Sequence, residues 1–372
     1  MSTRLNAWTS AFCVVAAIGV SLAAEPTSPA QAGAIPDRLT NQEFWQLVTT
    51  LEEKGGTYHS DNFTSNEPGL AQTAADVADR VKGGAYLGVG PEQNFSYIVA
   101  IRPTIAFIVD IRRQAIIQHL MFKALFELSA DRVAFITRLF SRERPSGLDD
   151  APTQKIWDAV PLGAGTDRDR YLKNRAEIET HLTTVRGIPL TTEDLASLEY
   201  VYNAFFTLGP AIDYAGYQTR LTTGNVNFAK LSLAADSTGV LRSFLGSEQN
   251  FQFIKSLQER NLIVPVVADI AGSRAVRGIG DYVRARGAKI SAFYISNVEQ
   301  YLYGVSIARK TDLNGGWKNF YDNLATLPVD SASVLIRGFN PRYPAFCVVD
   351  DFLKAVAAGR VRSLVQAQRC GI

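Results

Sequence analysis

The chain has 372 residues, of which 47% are hydrophobic and 20% are charged, a balance typical of a folded protein rather than a disordered one. It is long enough to form one large domain or two smaller ones. The 38 basic and 36 acidic residues leave a formal charge of +2, so the composition does not point to nucleic acid as a partner. Three Cys and three His are too few for a disulfide-built scaffold or a His-rich site, and we expect no bound metal.

The N-terminus has the pattern of a secretory signal peptide. Arg4 precedes an apolar run at 11–24, which is shorter than the about 20 residues that a membrane-spanning helix needs. Small residues two positions apart follow, as signal cleavage requires. We predict a signal peptide at 1–24 and a flexible leader at 25–38, with an uncleaved N-terminal anchor as the alternative. Cleavage would export the protein to the periplasm, with no membrane contact beyond the signal peptide.

Export would place Cys347 and Cys370 in an oxidising compartment, where they are permitted to pair. A bridge between them would tie the C-terminal tail to the end of a strand. Two cysteines form a bridge only when their Cα atoms are less than about 7 Å apart. The sequence does not determine that distance, so the two cysteines could be either free or joined by a disulfide.

Beyond the leader, short apolar runs alternate with amphipathic segments. The sequence predicts five buried strands, at 84–89, 105–109, 262–268, 290–295 and 333–336. It predicts helices at 39–54, 71–81, 92–101, 115–140 (as one helix or two), 248–258, 273–286, 297–302 and 350–366. Strand–helix alternation of this kind makes a mostly parallel sheet with helices on both faces. We therefore expect an α/β, three-layer, Rossmann-like domain over residues 39–372.

One part of the chain departs from this alternation. The stretch of about 141–236 is richer in charged and turn residues and has no strand rhythm over most of its length. Helical patches occur at 167–182 and 192–206. We predict that it forms a helical insertion or cap on the sheet domain.

The strand ends indicate where a ligand would bind. In open α/β sheets, ligands bind beyond the carboxyl ends of the strands, near the point where strand order reverses. Four segments follow the predicted strands in this way, at 88–94, 110–113, 269–273 and 296–301. In the first, Gly88 and Gly90 make a turn where a ligand can approach the backbone. Asp110 lies 22 residues beyond Gly88, the spacing expected of a carboxylate that accepts hydrogen bonds from ribose hydroxyls.

The same turn disfavours a dinucleotide. A dinucleotide fingerprint has its third glycine at position 93, where this chain has Gln93. Glu92 also places a negative charge in the helix turn that would receive a pyrophosphate. A ligand without phosphates tolerates that turn. S-adenosylmethionine is such a ligand, and its cationic sulfonium centre and amino group suit nearby carboxylates.

These residues resemble the class I methyltransferase-like Rossmann fold, over residues 84–336 apart from the insertion. The chain is also similar to an uncharacterised bacterial family with the same EQNF and VDIRR sequences, which stand here at 92–95 and 109–113. The resemblance implies that Gly88 and Gly90 contact the methionine part of S-adenosylmethionine and that Asp110 contacts its ribose. The chain departs from the methyltransferase-like pattern at Asp269, where Asp-Ile-Ala-Gly replaces the Asn/Asp-Pro-Pro-aromatic motif of amino-group methyltransferases.

Other residues of the same four segments complete the candidate site. Glu92 and Asn94 begin the helix after the glycine turn, and we expect them beside the cofactor. Asp269 and Asn297 follow later strands, where a transferred group would lie. Arg112 either grips an anionic group bidentately or forms a salt bridge at the start of a helix.

A polar cluster precedes the first strand. It consists of Asp61, Asn62, Ser65, Asn66 and Glu67. It is either the lid of a pocket or an ordinary turn.

The sequence is compatible with two main alternative functions. One is an exported, methyltransferase-like enzyme that uses Asp110 for the ribose of S-adenosylmethionine. The other is an exported, non-catalytic protein that holds a different small molecule or a partner in the same cleft. S-adenosylmethionine is made in the cytosol, which conflicts with export and keeps the second function open. A nucleotide-sugar or nicotinamide enzyme is a third interpretation, and the sequence identifies neither an acceptor substrate nor an oligomeric state.

Overall fold

The computed structural model describes residues 1–2, 33–217, 226–304, 316–338 and 343–371. Almost all of the predicted signal peptide and residues 25–32 of the predicted leader therefore lie outside the described residues. The described residues from Gly33 onwards form one compact unit. In this part of the chain, no helix has both the length and the apolar character needed to cross a membrane.

One six-stranded sheet organises the described residues. Its strands are β1 (Ala85–Val89), β2 (Ile105–Asp110), β3 (Ile263–Val267), β4 (Ile290–Ser296), β5 (Val334–Arg337) and β6 (Phe346–Val348). Their spatial order is β3-β2-β1-β4-β5-β6. The first five strands are parallel, and β6 pairs antiparallel with β5. This confirms the predicted α/β fold with a mostly parallel sheet.

Both faces of the sheet are covered. Successive side chains of a strand point to opposite faces, and every residue of β1, β3 and β5 is buried. The β-branched and aromatic runs that predicted the strands are therefore explained by burial on two sides, as is usual for parallel sheets.

The helices of the described residues connect and cover these strands. In chain order they are α1 (Asn41–Leu51), α2 (Leu70–Arg80), α3 (Gln93–Ile101), α4 (Arg113–Leu128), α5 (Arg132–Leu139), α6 (Thr153–Ala159), α7 (Arg168–Thr180), α8 (Thr192–Leu208), α9 (Phe228–Ser232), α10 (Glu248–Glu259), α11 (Ala275–Ala285), α12 (Val298–Leu302), α13 (Trp317–Ala325), α14 (Val349–Ala357) and α15 (Leu364–Gln368). A π-helical turn extends α7, and a 3₁₀ turn follows α8.

The segment predicted as an insertion carries α6 to α9 and no strand among its described residues. It packs on the sheet domain through α8, which lies along α4. The rings of Phe122 and Phe205 are 5.8 Å apart at this contact, and Arg113 donates to both carboxylate oxygens of Asp194 at 2.9 Å. The segment therefore shares its core with the sheet domain.

The C-terminal region differs from the prediction in two respects. The predicted strand at 333–336 is not the last one, because the short antiparallel β6 follows it. The single helix predicted at 350–366 is two helices, α14 and α15, because Gly359 after α14 has a φ of +66°, a conformation in which glycine commonly ends a helix. A disulfide joins Cys347 in β6 to Cys370 after α15, which resolves the pairing that the sequence left open.

Candidate functional site

A cleft lies beyond the carboxyl ends of β1, β2, β3 and β4. Its volume is about 790 Å³, including the part open to solvent. The strand order reverses between β1 and β4, because β2 and β3 extend the sheet to one side and β5 and β6 extend it to the other. The cleft therefore occupies the position where open α/β sheets bind their ligands.

Five of the eight predicted site residues line this cleft. They are Gly90, Asp110, Arg112, Asp269 and Asn297. They come from the ends of four different strands, which are up to 207 residues apart in sequence. The rule that ligands bind beyond the carboxyl ends of strands thus predicted side chains that lie in one cleft although they are far apart in sequence. Their roles toward a ligand stay predictions.

Asn94 supports the turn after β1 from outside the cleft. Its buried side-chain Nδ2 donates to the backbone oxygens of Val89, Gly90 and Pro91 at 2.9, 3.2 and 2.7 Å. Its Oδ1 accepts from the Tyr86 hydroxyl at 2.8 Å. All these contacts are internal, so Asn94 positions the turn rather than lining the cleft as predicted.

Gly88 and Glu92, the other two predicted cofactor contacts, also lie outside the cleft lining. Gly88 is buried in β1, where an added Cβ atom would lie 2.0 Å from the Asn94 Oδ1 atom. Glu92 is 3% exposed and lines a separate cavity of about 240 Å³. Both residues are therefore enclosed by protein groups behind the turn.

The charge of Glu92 also differs from the sequence-based expectation of a negative side chain in this helix turn. Burial raises its pKa to about 7, although a hydrogen bond from the Thr64 hydroxyl to Oε1 acts in the opposite direction. Its Oε2 has no hydrogen-bond partner among the described residues. Near neutral pH, much of the population therefore carries a proton at this position.

Stability should fall with rising pH because of Glu92. Its folded pKa is raised above the value near 4.3 of an unfolded glutamate, so its contribution is complete below about pH 4 and is lost as pH rises through 7. Urea unfolding between about pH 5 and pH 8 should show the wild type losing stability relative to Glu92→Gln, with a slope of at most about 1.4 kcal/mol per pH unit. Parallel profiles for the two proteins would contradict this account of Glu92.

Asp110 and Arg112 form an ion pair on the cleft wall. The guanidinium Nε and Nη2 atoms lie 3.1 Å from Oδ1 and Oδ2 of the carboxylate. Nη1 also donates to the backbone oxygens of Ser60 and Asp61, each at 2.7 Å. Of the two interpretations of Arg112, the structure shows the salt bridge, and Asp110 reaches the cleft with its charge already paired.

The polar cluster at 61–67 forms one wall of the cleft through Asn62, Ser65, Asn66 and Glu67. Asn62 and Ser296, which also lines the cleft, both have a φ of +50°. Such a φ is uncommon outside glycine, especially for serine, and strained residues of this kind concentrate at functional sites. The cluster therefore belongs to the cleft rather than to an unrelated turn.

Three tyrosines line the cleft, and of these only Tyr301 lies in a segment that the sequence indicated, at 296–301. Tyr58 donates its hydroxyl proton to the Tyr301 oxygen at 2.7 Å and lies 3.0 Å from the Tyr214 hydroxyl. A phenol has one proton, so Tyr214 is the donor to Tyr58. Burial raises the pKa of Tyr58 well above its ordinary range, so it stays neutral. No sequence signal links these residues, because they come from three separate segments.

Glu67, which the sequence singled out only as a member of the polar cluster, makes hydrogen bonds that no sequence pattern indicated. It is 7% exposed, and its Oε1 accepts from the hydroxyls of Tyr294 and Ser296 at 2.5 and 2.8 Å. Burial raises its pKa despite these two hydrogen bonds. On the other side of Tyr294, the Nε2 atom of Gln93 donates to the phenol oxygen at 3.1 Å. Glu67 and Gln93 both line the cleft.

The charges of the cleft favour a cation or a hydrogen-bond donor over a phosphate. Glu67, Asp110 and Asp269 supply three carboxyl groups, whereas Arg112 is the one Lys or Arg among the described lining residues. Burial raises the pKa of Asp269, and the neighbouring Glu53 adds to that effect. Across the described ranges, no cluster of three or more His, Cys, Asp or Glu side chains is arranged to hold a metal ion.

The fold and the cleft together define an α/β protein with a ligand-sized site at the point where the order of a parallel sheet reverses. Residues 62–155 and 219–366 match the model of a family described as Domain of unknown function (DUF7790). This match covers more than half of the chain, which therefore belongs to that family. The unmatched residues 156–218 fall inside the predicted insertion, and of the cleft lining only Tyr58 and Tyr214 lie outside the matched ranges. No curated protein matches the chain.

Proposed function

We propose that the protein is exported and binds a small, phosphate-free molecule in this cleft, on a class I methyltransferase-like fold. The observation that carries the proposal is the convergence of Gly90, Asp110 and Asp269 on one cavity of ligand size. The disulfide between Cys347 and Cys370 supports export, because disulfides persist in oxidising compartments.

S-adenosylmethionine is the first ligand to test. The cleft offers the glycine turn after β1 and an acid at the end of β2, in the positions that the resemblance assigns to the methionine part and the ribose. Its three carboxyl groups also suit a ligand that carries a sulfonium and an amino group. Asp269 and Asn297, on the neighbouring wall, would then lie near the transferred group.

Binding without catalysis is the second candidate, and one observation favours it. Asp110 already holds the Arg112 guanidinium through both of its oxygens. A carboxylate keeps lone pairs for further donors, but a ribose would have to share this acid with a buried cation. A protein that had lost its cofactor in an exported setting could keep such a pair and bind another molecule.

Calorimetry with S-adenosylmethionine and S-adenosylhomocysteine tests the ligand, with the mature protein as the sample. We expect saturable binding, and Asp110→Asn should weaken it about tenfold, because one hydrogen bond to a charged acceptor is replaced by a weaker one. Asp281→Asn is the matched control, since this exposed acid on α11 is not among the residues that line the cleft. It should leave the affinity unchanged.

Two results would remove parts of the proposal. If neither nucleoside binds at about 1 mM, the cofactor assignment fails and the non-catalytic candidate stands. N-terminal sequencing of the protein from fractionated cells tests export separately. An intact Met1 in the cytosolic fraction would show that the signal peptide is not cleaved.

A further inference from the structure

Two buried oxygen atoms on one wall of the cleft have no hydrogen-bond partner among the residues that the structure describes. They are Oε2 of Glu67 and Oε1 of Gln93. The side chains are 7% and 4% exposed, and both line the cleft. They are held on either side of a single atom, the Tyr294 hydroxyl oxygen, at 2.5 Å from Glu67 and 3.1 Å from Gln93.

The direction of these hydrogen bonds makes Oε1 of Gln93 an acceptor, and Oε2 of Glu67 is an acceptor in the ionised form, which a bound cation would favour. Tyr294 has one hydroxyl proton and donates it to Oε1 of Glu67. The Tyr294 oxygen must therefore accept from Gln93, which turns the amide Nε2 toward Tyr294 and leaves Oε1 without a partner. Ser296 also donates to Oε1 of Glu67, so Oε2 is the oxygen that remains open.

Such an arrangement is unfavourable unless something supplies donors. A buried acceptor without a partner costs free energy, and a buried carboxylate without a counter-charge costs more. Arg112, the one Lys or Arg among the described residues that line the cleft, is engaged by Asp110. Two open acceptors on side chains that bind the same Tyr294 hydroxyl therefore indicate a group that enters the cleft with several N–H donors and a positive charge.

We propose that Glu67 and Gln93 form a subsite for a protonated primary amine of the ligand. This inference rests on the proposed function, because it assigns one part of a ligand in the same cleft. An ammonium group has three N–H donors, enough for Oε2 of Glu67 and Oε1 of Gln93 together. It also supplies the positive counter-charge that the Glu67 carboxylate has no other source for among the described lining residues. A hydroxyl has one proton and no charge, and a phosphate would be repelled by the carboxylate.

Glu67 and Gln93 would then determine specificity, and their contacts keep them rigid enough to do so. Tyr294 and Ser296 hold the carboxylate from β4, and Ser296 does so from a strained backbone with a φ of +50°. Gly338 leaves room on a further side, since an added Cβ atom there would lie 2.8 Å from Oε1 of Glu67. The carboxylate is thus enclosed on several sides before a ligand arrives.

The test compares two probes that differ in one group, benzylamine and benzyl alcohol, by titration calorimetry and NMR of the mature protein. The wild type should bind the amine about tenfold more tightly than the alcohol, as expected of charge-assisted hydrogen bonds. Glu67→Gln should abolish that preference. Gln93→Leu, which keeps the carboxylate and removes the second acceptor, should reduce it about threefold. Glu259→Gln is the matched control, because this acid on α10 pairs with Lys255 outside the cleft lining, and it should keep the full preference.

Each outcome decides the matter. Equal affinity of the wild type for both probes, or no saturable benzylamine binding at about 10 mM, would refute the subsite. A preference that survives both Glu67→Gln and Gln93→Leu would do the same. If Glu67→Gln does not fold, the amine preference of Gln93→Leu still tests whether this wall of the cleft binds the ammonium group. If the wild type prefers the amine but does not bind S-adenosylmethionine, the cofactor assignment alone is refuted. If it binds S-adenosylmethionine but shows no preference for the amine, the subsite alone is refuted.

Discussion

Replacing Arg112 by methionine is expected to lower the free energy of unfolding by about 3–5 kcal/mol, the range measured when one partner of a buried ion pair is removed. The Arg112 and Asp110 side chains are both less than one-tenth exposed. The substitution would leave the Asp110 carboxylate without its cation, and it would leave the backbone oxygens of Ser60 and Asp61 without the donor that holds them at 2.7 Å. Urea unfolding at neutral pH measures the change.

Arg113 provides the matched comparison for this experiment. It follows Arg112 directly and also forms ion pairs, with Glu52 and Asp194, but about one-third of its side chain is exposed. Arg113→Met should therefore cost less than Arg112→Met, about 1–3 kcal/mol, because the Thr191 backbone N–H still donates to the buried Asp194 carboxylate that loses its cation. Equal losses for the two variants would mean that the pair of Asp110 and Arg112 is not buried as described. The double variant Asp110→Leu/Arg112→Met should recover much of the stability, because it leaves no lone charge.

The sequence predicts the sheet well because its strands are buried on both faces. The runs at 105–109 and 262–268 are almost entirely apolar, and burial allows little else in a central parallel strand. β6 escapes prediction for the opposite reason. It has three residues at the edge of the sheet, and its pairing depends on a turn-back of the chain and on the Cys347–Cys370 bridge, neither of which a local pattern records.

The candidate site is predictable only where it lies at strand ends. Asp110 and Asp269 could be placed together because carboxyl ends of parallel strands share one edge of a sheet. The tyrosines could not, since Tyr58 and Tyr214 meet across 156 residues of sequence and come from loops without a rule of position. Asn94 shows a third case. Its place at a helix start suggested a ligand contact, whereas its four hydrogen bonds all support the turn that precedes it.

Gly88→Ala should be one of the most damaging single substitutions in the chain, with a loss of about 3 kcal/mol in the free energy of unfolding from overpacking. The new Cβ atom would lie 2.0 Å from Oδ1 of Asn94, and 2.6 and 2.8 Å from the hydroxyl oxygen and a ring carbon of Tyr86. Both neighbours are fully buried. The hydrogen bond between them would have to break for a methyl group to fit.

Gly90→Ala is the informative counterpart, because the same change two residues later makes only ordinary van der Waals contacts and no clash. Its nearest neighbour would be Nε2 of Gln93 at 3.4 Å, so its cost comes from the φ of +82° at Gly90 and should be about 1–2 kcal/mol. The methyl group would stand at the cleft and should weaken ligand binding, whereas Gly88→Ala acts on folding. Urea unfolding and calorimetry of both variants separate the two roles. If Gly88→Ala proved the milder change, Asn94 would not hold the turn through the contacts described, and Gly88 would be free to face a ligand.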